Sequence, residues 1–395
     1  MLSRVAQGQV PAKPHLAVED PSAKGRLLYE ECVTRDGFEG PFSILYHQHR
    51  PHEALPVSPA SGFRVPPSTA AAPPSLIRRH YRCLALPAAG PGASVSALEG
   101  RVPLLHNDDV VLGFARPNTA DVVYFVNADA DDLFFVQRGG GVLRSVFGDL
   151  SFDAGDYVYV PKGIIHRFIP QTDREQAWLT IECKGGLGLP AHYRNPIGQL
   201  RMDAPYSLRD FRLPTFVGPR DESIRDVVVK RRDTFHGFRH HHSPLDVVGW
   251  DGAVYPFALP ILAFQPRVGQ VHLPPPVHAT FEAGGALICS FVPRPLDFHP
   301  RANPCPYPHA SVDIDEVLFY VNQAFGSRRG IEEGSLSHHP AGIPHGPHPG
   351  AYESAPGQTR TEEIAVMLDC RAPLDATAEA RGIEDGGYHA SFDAG

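Results

Sequence analysis

Residues Pro308 to Pro347 read PHASVDIDEVLFYVNQAFGSRRGIEEGSLSHHPAGIPHGP. An apolar run, Val317-Leu-Phe-Tyr-Val321, opens directly after acidic residues, and a second short run ends in the corner Pro340-Ala-Gly342 and the histidine His345. Short apolar segments punctuated by glycine and proline predict antiparallel strands rather than helices. An earlier stretch has the same layout. Asp129-Ala-Asp131-Asp132-Leu-Phe-Phe-Val136 aligns with Asp313-Ile-Asp315-Glu316-Val-Leu-Phe-Tyr320. Gly155-Asp-Tyr-Val-Tyr-Val-Pro161-Lys-Gly163-Ile-Ile-His166 aligns with Gly334-Ser-Leu-Ser-His-His-Pro340-Ala-Gly342-Ile-Pro-His345. Glycine, proline, glycine, isoleucine and histidine fall in register, so one supersecondary unit occurs twice.

Each copy, a pair of apolar strands around a glycine turn followed by a strand, a Pro-x-Gly corner and a histidine, resembles the cupin or small jelly-roll barrel. The expected fold is therefore all-β: a two-domain bicupin with an irregular N-terminal arm and few short helices. Residues 1–100 would hold the arm and first strands, packed on a first barrel over 101–185. Residues 186–255 would connect it to a second barrel over 256–395, which ends in a tail.

Composition agrees with this class. The chain has 395 residues, 42% hydrophobic and 20% charged, enough for two modest cores. Proline (41) and glycine (37) make up about a fifth of the chain, which favours many strands and turns. The net charge of −8 is spread without a basic patch and argues against nucleic acid as a partner. No apolar run approaches the roughly 18 residues that span a bilayer, and MLSRVAQGQVPAKPH lacks the apolar core of a signal peptide. The expected setting is cytoplasmic, without membrane contact. The six cysteines show no C-x-x-C spacing, and most of them read as buried thiols. The 21 histidines are concentrated from His236 onward, which fits a metal enzyme.

In chain order, residues 1 to about 24 read as a loose arm, and Gly40 to His47 as a first strand. Pro56 to Pro74 is a proline-rich connection, and Tyr81 to Leu86 a further strand. The first barrel contains six apolar segments: 110–114, 121–126, 133–136, 142–146, 157–160 and 177–183. Ser207 to Arg212 is a candidate short helix. His240, His241 and His242 read as a solvated loop; in a strand, alternate members would point to opposite faces, so at most two could converge on one point. In the second barrel, Ala286 to Val292 and Glu363 to Leu368 read as strands, and the last 20 or so residues as a frayed tail.

The two copies diverge where chemistry would be decided. The second holds His309, Glu316 and His345; the first has Phe125, Asp132 and His166 at the matching positions. A phenylalanine cannot ligate a metal, so the first barrel is expected to be metal-free. Two imidazoles and one carboxylate suit Fe(II), because they leave adjacent coordination positions open for a chelating substrate and dioxygen, which a closed four-ligand zinc site would not. Asp313 and Asp315 are nearby rivals for the carboxylate. Glu316 is preferred because it sits at the edge of the apolar run, where an acid is costly unless paired or metal-bound; spacing alone does not separate it from Asp315.

These residues carry a further resemblance. Val247 to Pro256, His272, the His309 and Glu316 pair, and Leu336-Ser-His-His339 through Pro344-His345-Gly346-Pro347 resemble homogentisate 1,2-dioxygenase, and Leu45-Tyr-His47 and Arg194 to Leu200 do so more weakly. The resemblance implies an Fe(II) enzyme of tyrosine catabolism that opens the ring of homogentisate, a small aromatic acid, with O2 to give maleylacetoacetate. It implies His309, Glu316 and His345 as iron ligands, and His272 as the base that takes the substrate phenol proton. It places His339, His345 and position 325 against the substrate, and it implies a homo-oligomer, a trimer or a hexamer. Phe325 stands where the animal-type family members have a tyrosine, which bears on the ring substituents accepted. Dioxygenases for gentisate or a substituted hydroquinone are the nearest alternative. A catalytically silent bicupin that binds a small ligand is the alternative of a different class.

Overall fold

The computed structural model describes residues 2–67, 75–88 and 93–393. The end of the proline-rich connection, 68–74, lies outside them. The chain is an all-β bicupin, with three seven-stranded sheets, a four-stranded sheet and a two-stranded ladder among the described residues. The two α-helices among the described residues are short, Ala351–Ser354 and Ala378–Gly382.

Two of the large sheets face each other as the first barrel. One runs in the order Phe257–Pro260, Asp156–Val160, Asp131–Arg138, Ala177–Cys183, Val110–Ala115, Val102–His106, Asp375–Ala376. The other runs Gly148–Asp153, Gly140–Ser145, His166–Pro170, Tyr124–Asn127, Asp226–Arg231, Thr234–His240, Ala54–Val57. The third sheet is the wall of the second barrel: Leu187–Gly188, Ala279–Ala283, Ala286–Phe291, Ala365–Cys370, Asp315–Tyr320, Ser335–His339, Arg79–Arg82. Across from it lie the Arg294–Pro295/Arg360–Thr361 ladder and a single bridge between His309 and His345.

The central sheet is buried on both faces, which explains why its strands read as unbroken apolar runs rather than alternating ones. Phe134 points into the first barrel, 4.7 Å from the Phe168 ring, where Phe168 and Phe152 also pack on Trp178. Its neighbour Phe135 points the other way and meets Phe319 of the second barrel at 6.3 Å; Phe114 meets the same ring at 6.0 Å. Tyr157 and Phe281 complete this inter-barrel layer at 5.4 Å. Burying a Phe side chain stabilises by about 1.5–3 kcal/mol, so this apolar layer holds the two barrels in one body.

The segment 186–255 does more than connect. It supplies the Asp226–Arg231 and Thr234–His240 strands to the first barrel, and Val247–Gly252 to the four-stranded sheet with Val5–Gly8, Phe42–His47 and Tyr29–Thr34. The start of the chain is thus pinned, not loose: Val5–Gly8 pairs with Val247–Gly252. His240 closes a strand and is half-buried, whereas His241 and His242 are exposed, His242 stacking on His49 at 3.7 Å. Ser207 to Arg212 contains only a short 3-10 turn, Leu208–Asp210.

The last described residues, up to 393, are not frayed either. Asp375–Ala376 adds to the central sheet, and a short helix follows, capped by the Thr377 side chain. Tyr388 is buried, and Phe392 stacks on His348 at 3.9 Å. These residues close the second barrel behind the site described next.

Candidate metal centre

Strand periodicity assigns the carboxylate. In Asp315–Tyr320, the side chains of Glu316, Leu318 and Tyr320 line a cavity, while Val317 and Phe319 belong to the inter-barrel core. Asp315 has the parity of Val317 and cannot face the same cavity. It is instead a structural pin. Its Oδ1 accepts from the Ala341 N–H at 2.7 Å, and its Oδ2 from the Leu374 N–H at 2.9 Å, with His338 Nε2 at 2.8 Å. The first copy repeats the device: Asp131 accepts from the backbone N–H groups of Lys162 and Leu187. In both copies the aspartate anchors the Pro-x-Gly corner, whose glycines, Gly163 and Gly342, have φ of 88° and 86°, a region open to glycine.

The anchored corner delivers His345. The backbones of His309 and His345 exchange two hydrogen bonds, of 2.9 and 2.8 Å, and their rings lie 4.3 Å apart. Gly346 permits this approach, because a Cβ there would lie 2.8 Å from the Pro308 Cα. His309 Nδ1 is 3.2 Å from the Tyr307 carbonyl oxygen; donation there leaves Nε2 free, 3.9 Å from Glu316 Oε2. His345 Nε2 is 3.5 Å from Glu316 Oε1.

Ligand atoms of His309, Glu316 and His345 lie within 4.8 Å of one another, the one such group found among the described residues. The set fits a divalent metal on its own chemistry. Both ring nitrogens of His345 are buried without a hydrogen-bond partner, a cost that a coordinated ion would remove. Burial acts to raise the Glu316 pKa, but the His339 hydrogen bond and the nearby His345 hold the carboxyl well below its ordinary value, ready as an anionic ligand.

His339 does not touch the cavity. Its Nδ1 lies 2.7 Å from Glu316 Oε1, its ring stacks on His345 at 4.7 Å, and its Nε2 is 3.5 Å from the Tyr388 hydroxyl. Burial lowers its pKa to about 4, so a neutral ring donates Nδ1–H to the carboxylate. His339 thus sits behind the Glu316 carboxylate, in position to orient a candidate ligand.

The cavity beside the three residues measures about 430 Å³, and a smaller chamber of about 160 Å³ adjoins it; His309 and Glu316 line both. His272 is exposed at the wall of the larger one, its ring 4.9 Å from that of Tyr307. Phe325 lines the smaller one, half-buried, its ring 4.6 Å from Tyr320. Three further residues face this space without having been singled out from the sequence. Asp369 is the cross-strand neighbour of Glu316, and burial, with the Glu316 charge, pushes it up to about 7. Arg294 lines both chambers and Arg328 the smaller. Asp369 could have been found by the same logic as Glu316, an acid inside the apolar run AVMLDC; Arg328 in Gly326-Ser-Arg-Arg-Gly330 reads as an ordinary exposed turn.

In the first barrel, Phe125 bridges to His166 as His309 bridges to His345, and Asp132 pairs with Glu182 as Glu316 pairs with Asp369. Arg101 occupies this neighbourhood, its Nη1 3.3 Å from Asp132 and 3.4 Å from Glu182, its guanidinium over Phe125. Lys230 adds a second cation on Glu182. Side-chain charges there balance the acids that a metal would otherwise meet.

Comparison with known proteins gives three findings. Residues 110–261 match the family described as homogentisate 1,2-dioxygenase N-terminal, a match that covers the first barrel rather than the histidine centre. A protein of Saccharolobus solfataricus named "Putative dioxygenase" is 31% identical over 389 residues, 98% of each chain. The homogentisate 1,2-dioxygenases of Bradyrhizobium diazoefficiens and Rhizobium etli are 27% and 28% identical over 271 and 277 residues, about two thirds of this chain. The chain spans about 60% of the length of those two relatives.

Proposed function

The chain belongs to the homogentisate 1,2-dioxygenase family, and from that premise we propose that it is a non-haem iron dioxygenase that opens the ring of homogentisate with O2 to give maleylacetoacetate. The observation that carries the reading is the convergence of His309, Glu316 and His345 beside a cavity large enough for a substituted ring.

His309, Glu316 and His345 would hold the ion, a facial set of two imidazoles and one carboxylate. When bound, ferrous iron would supply the one-electron chemistry that lets dioxygen react with an electron-rich ring. His339 keeps the Glu316 carboxylate in place by donating Nδ1–H to Oε1. His272, at the wall of the larger chamber, takes the proton of a ring hydroxyl on an imidazole nitrogen. Phe325 and Leu318 offer apolar surface to the ring in the smaller chamber.

Phe325 supports a second reading within the class. It offers no hydroxyl to a ring substituent, which favours gentisate or a substituted hydroquinone over a substrate that needs that hydrogen bond. Oxygen-electrode traces on iron-loaded protein with homogentisate, gentisate and methylhydroquinone separate the two. Uptake is expected to be greatest with homogentisate. Uptake with only another ring transfers the activity to that ring, and no uptake with any of them favours a silent ligand-binding bicupin. The family resemblance also supports assembly into trimers or hexamers in the cytoplasm, with sedimentation as the test of assembly; no helix among the described residues is long and apolar enough to cross a membrane.

A further inference from the structure

Three arginines line the cavity space, and two of them have an acid. Arg294 Nη2 lies 2.6 Å from Glu363 Oε1, and Arg267 Nη2 lies 3.1 Å from Asp203. Arg328 differs. Its Nη1 donates to the carbonyl oxygen of Gly346, the residue after His345, and its Nε is buried with no hydrogen-bond partner among the described residues. Glu316 acts on it through space but is committed to His339 and faces both candidate histidine ligands. Arg328 lines the smaller chamber together with His309, Glu316 and Phe325.

A half-buried guanidinium with a buried, unpartnered Nε and no acid hydrogen-bonded to it is costly, and the cost grows if a divalent cation takes up the charge of Glu316. The chamber would then hold a net positive charge facing an apolar wall of Phe325, Leu318 and Met367. A ligand that satisfies both features carries an aromatic ring and an anionic group, and the planar fork of arginine matches a carboxylate better than any other side chain does. Arg328 also hangs on the backbone that carries His345, so an acid bound there is placed within one side chain of the candidate metal ligands.

We infer that Arg328 is the anchor for the carboxylate of an aromatic acid substrate, and that it makes the site select the acid over the corresponding neutral ring. The inference rests on the dioxygenase reading, since it takes the chamber to be the substrate site. Phe325 offers no polar group, so Arg328 is the group on the same loop that recognises a substituent by charge.

The test is calorimetry on the iron-loaded, full-length protein without oxygen, using homogentisate and methylhydroquinone, which lacks the carboxylate. The unaltered protein is expected to bind the acid at least about 10-fold more tightly than the neutral ring. Arg328→Gln is expected to weaken the acid by about 10- to 100-fold and leave the neutral ring unchanged, with iron content as before. Arg328→Lys, which keeps the charge, should retain a preference for the acid. Equal weakening of both rings by Arg328→Gln, or no weakening of the acid, overturns the assignment while leaving the dioxygenase reading standing. If the variants fail to fold, the unaltered protein still decides: equal affinity for acid and neutral ring overturns it. Binding of neither ring overturns this assignment and the dioxygenase reading together.

Discussion

His339 Nδ1 lies 2.7 Å from Oε1 of Glu316, while His309 Nε2 faces Oε2 of the same carboxylate at 3.9 Å. Oε1 is thus held by a buried neutral imidazole, with His345 Nε2 3.5 Å from the same oxygen, while Oε2 is turned toward His309. His339→Leu is expected to lower metal affinity by about 10- to 100-fold, read by chelator competition, with little change in KM for the metal that remains bound. A raised KM at full metal occupancy would instead make His339 a substrate contact.

Gly346→Ala places a Cβ 2.8 Å from the Pro308 Cα and should push the His345 turn off the His309 segment. The account expects metal affinity to fall by 10-fold or more, while the bulk of the fold, which rests on the inter-barrel layer, survives with Tm lowered by only a few degrees, on the order of 1–2 kcal/mol. Normal metal affinity in this variant would show that the close approach does not set the ligand geometry.

His272→Asn removes the proposed base but none of the metal ligands. The expected result is a fall in kcat of about 10²- to 10⁴-fold with unchanged iron content. Loss of iron in this variant would mean that His272 serves the centre structurally.

A pH effect is expected far from the cavity. In the four-stranded sheet, His47 is buried between Asp246, 2.6 Å from its Nδ1, and Glu31, 3.0 Å from its Nε2. Burial acts to lower its pKa, and the two carboxylates overcome this and raise it to about 9. A raised folded-state value means that the proton stabilises the fold: the contribution is fully present below about pH 6.5 and is lost as pH rises through about 9. Thermal melts from pH 6 to 10 should show this decline, on the order of 3 kcal/mol at most, and His47→Asn should flatten it. A decline of the same size in the variant would assign the effect elsewhere.

How much of this was legible in the sequence follows from which positions are unambiguous in parity and polarity. The repeat placed both barrels, because the Pro-x-Gly-Ile-x-His corner keeps its register whatever the loops do. The strands Gly148–Asp153 and His166–Pro170 are hard to read because polar side chains interrupt their apolar pattern, and Val102–His106 because a proline stands inside a short run. Asp226–Arg231 escaped notice for a related reason: Lys230 points inward to Glu182, so a charge marks a buried position. Glu316 and Asp315 could not be separated by sequence because both faces of their strand are apolar, and only the three-sheet layering says which face is the cavity. The tail looked frayed because its polar, glycine-rich composition hides Tyr388 and Phe392, which pack on His80 and His348. For His339 the family resemblance conveys proximity to the site but not the side of the Glu316 carboxylate from which its ring approaches.

The central claim is that three side chains from a loop, a strand and a corner of the second barrel share one ion. Iron analysis of protein purified without oxygen tests it directly, on the unaltered chain and on His345→Ala, Glu316→Ala and, as a control in the first barrel, His166→Ala. The account predicts about one iron per chain in the unaltered protein and the His166 variant, and close to none in the other two. Equal iron in all four would contradict it.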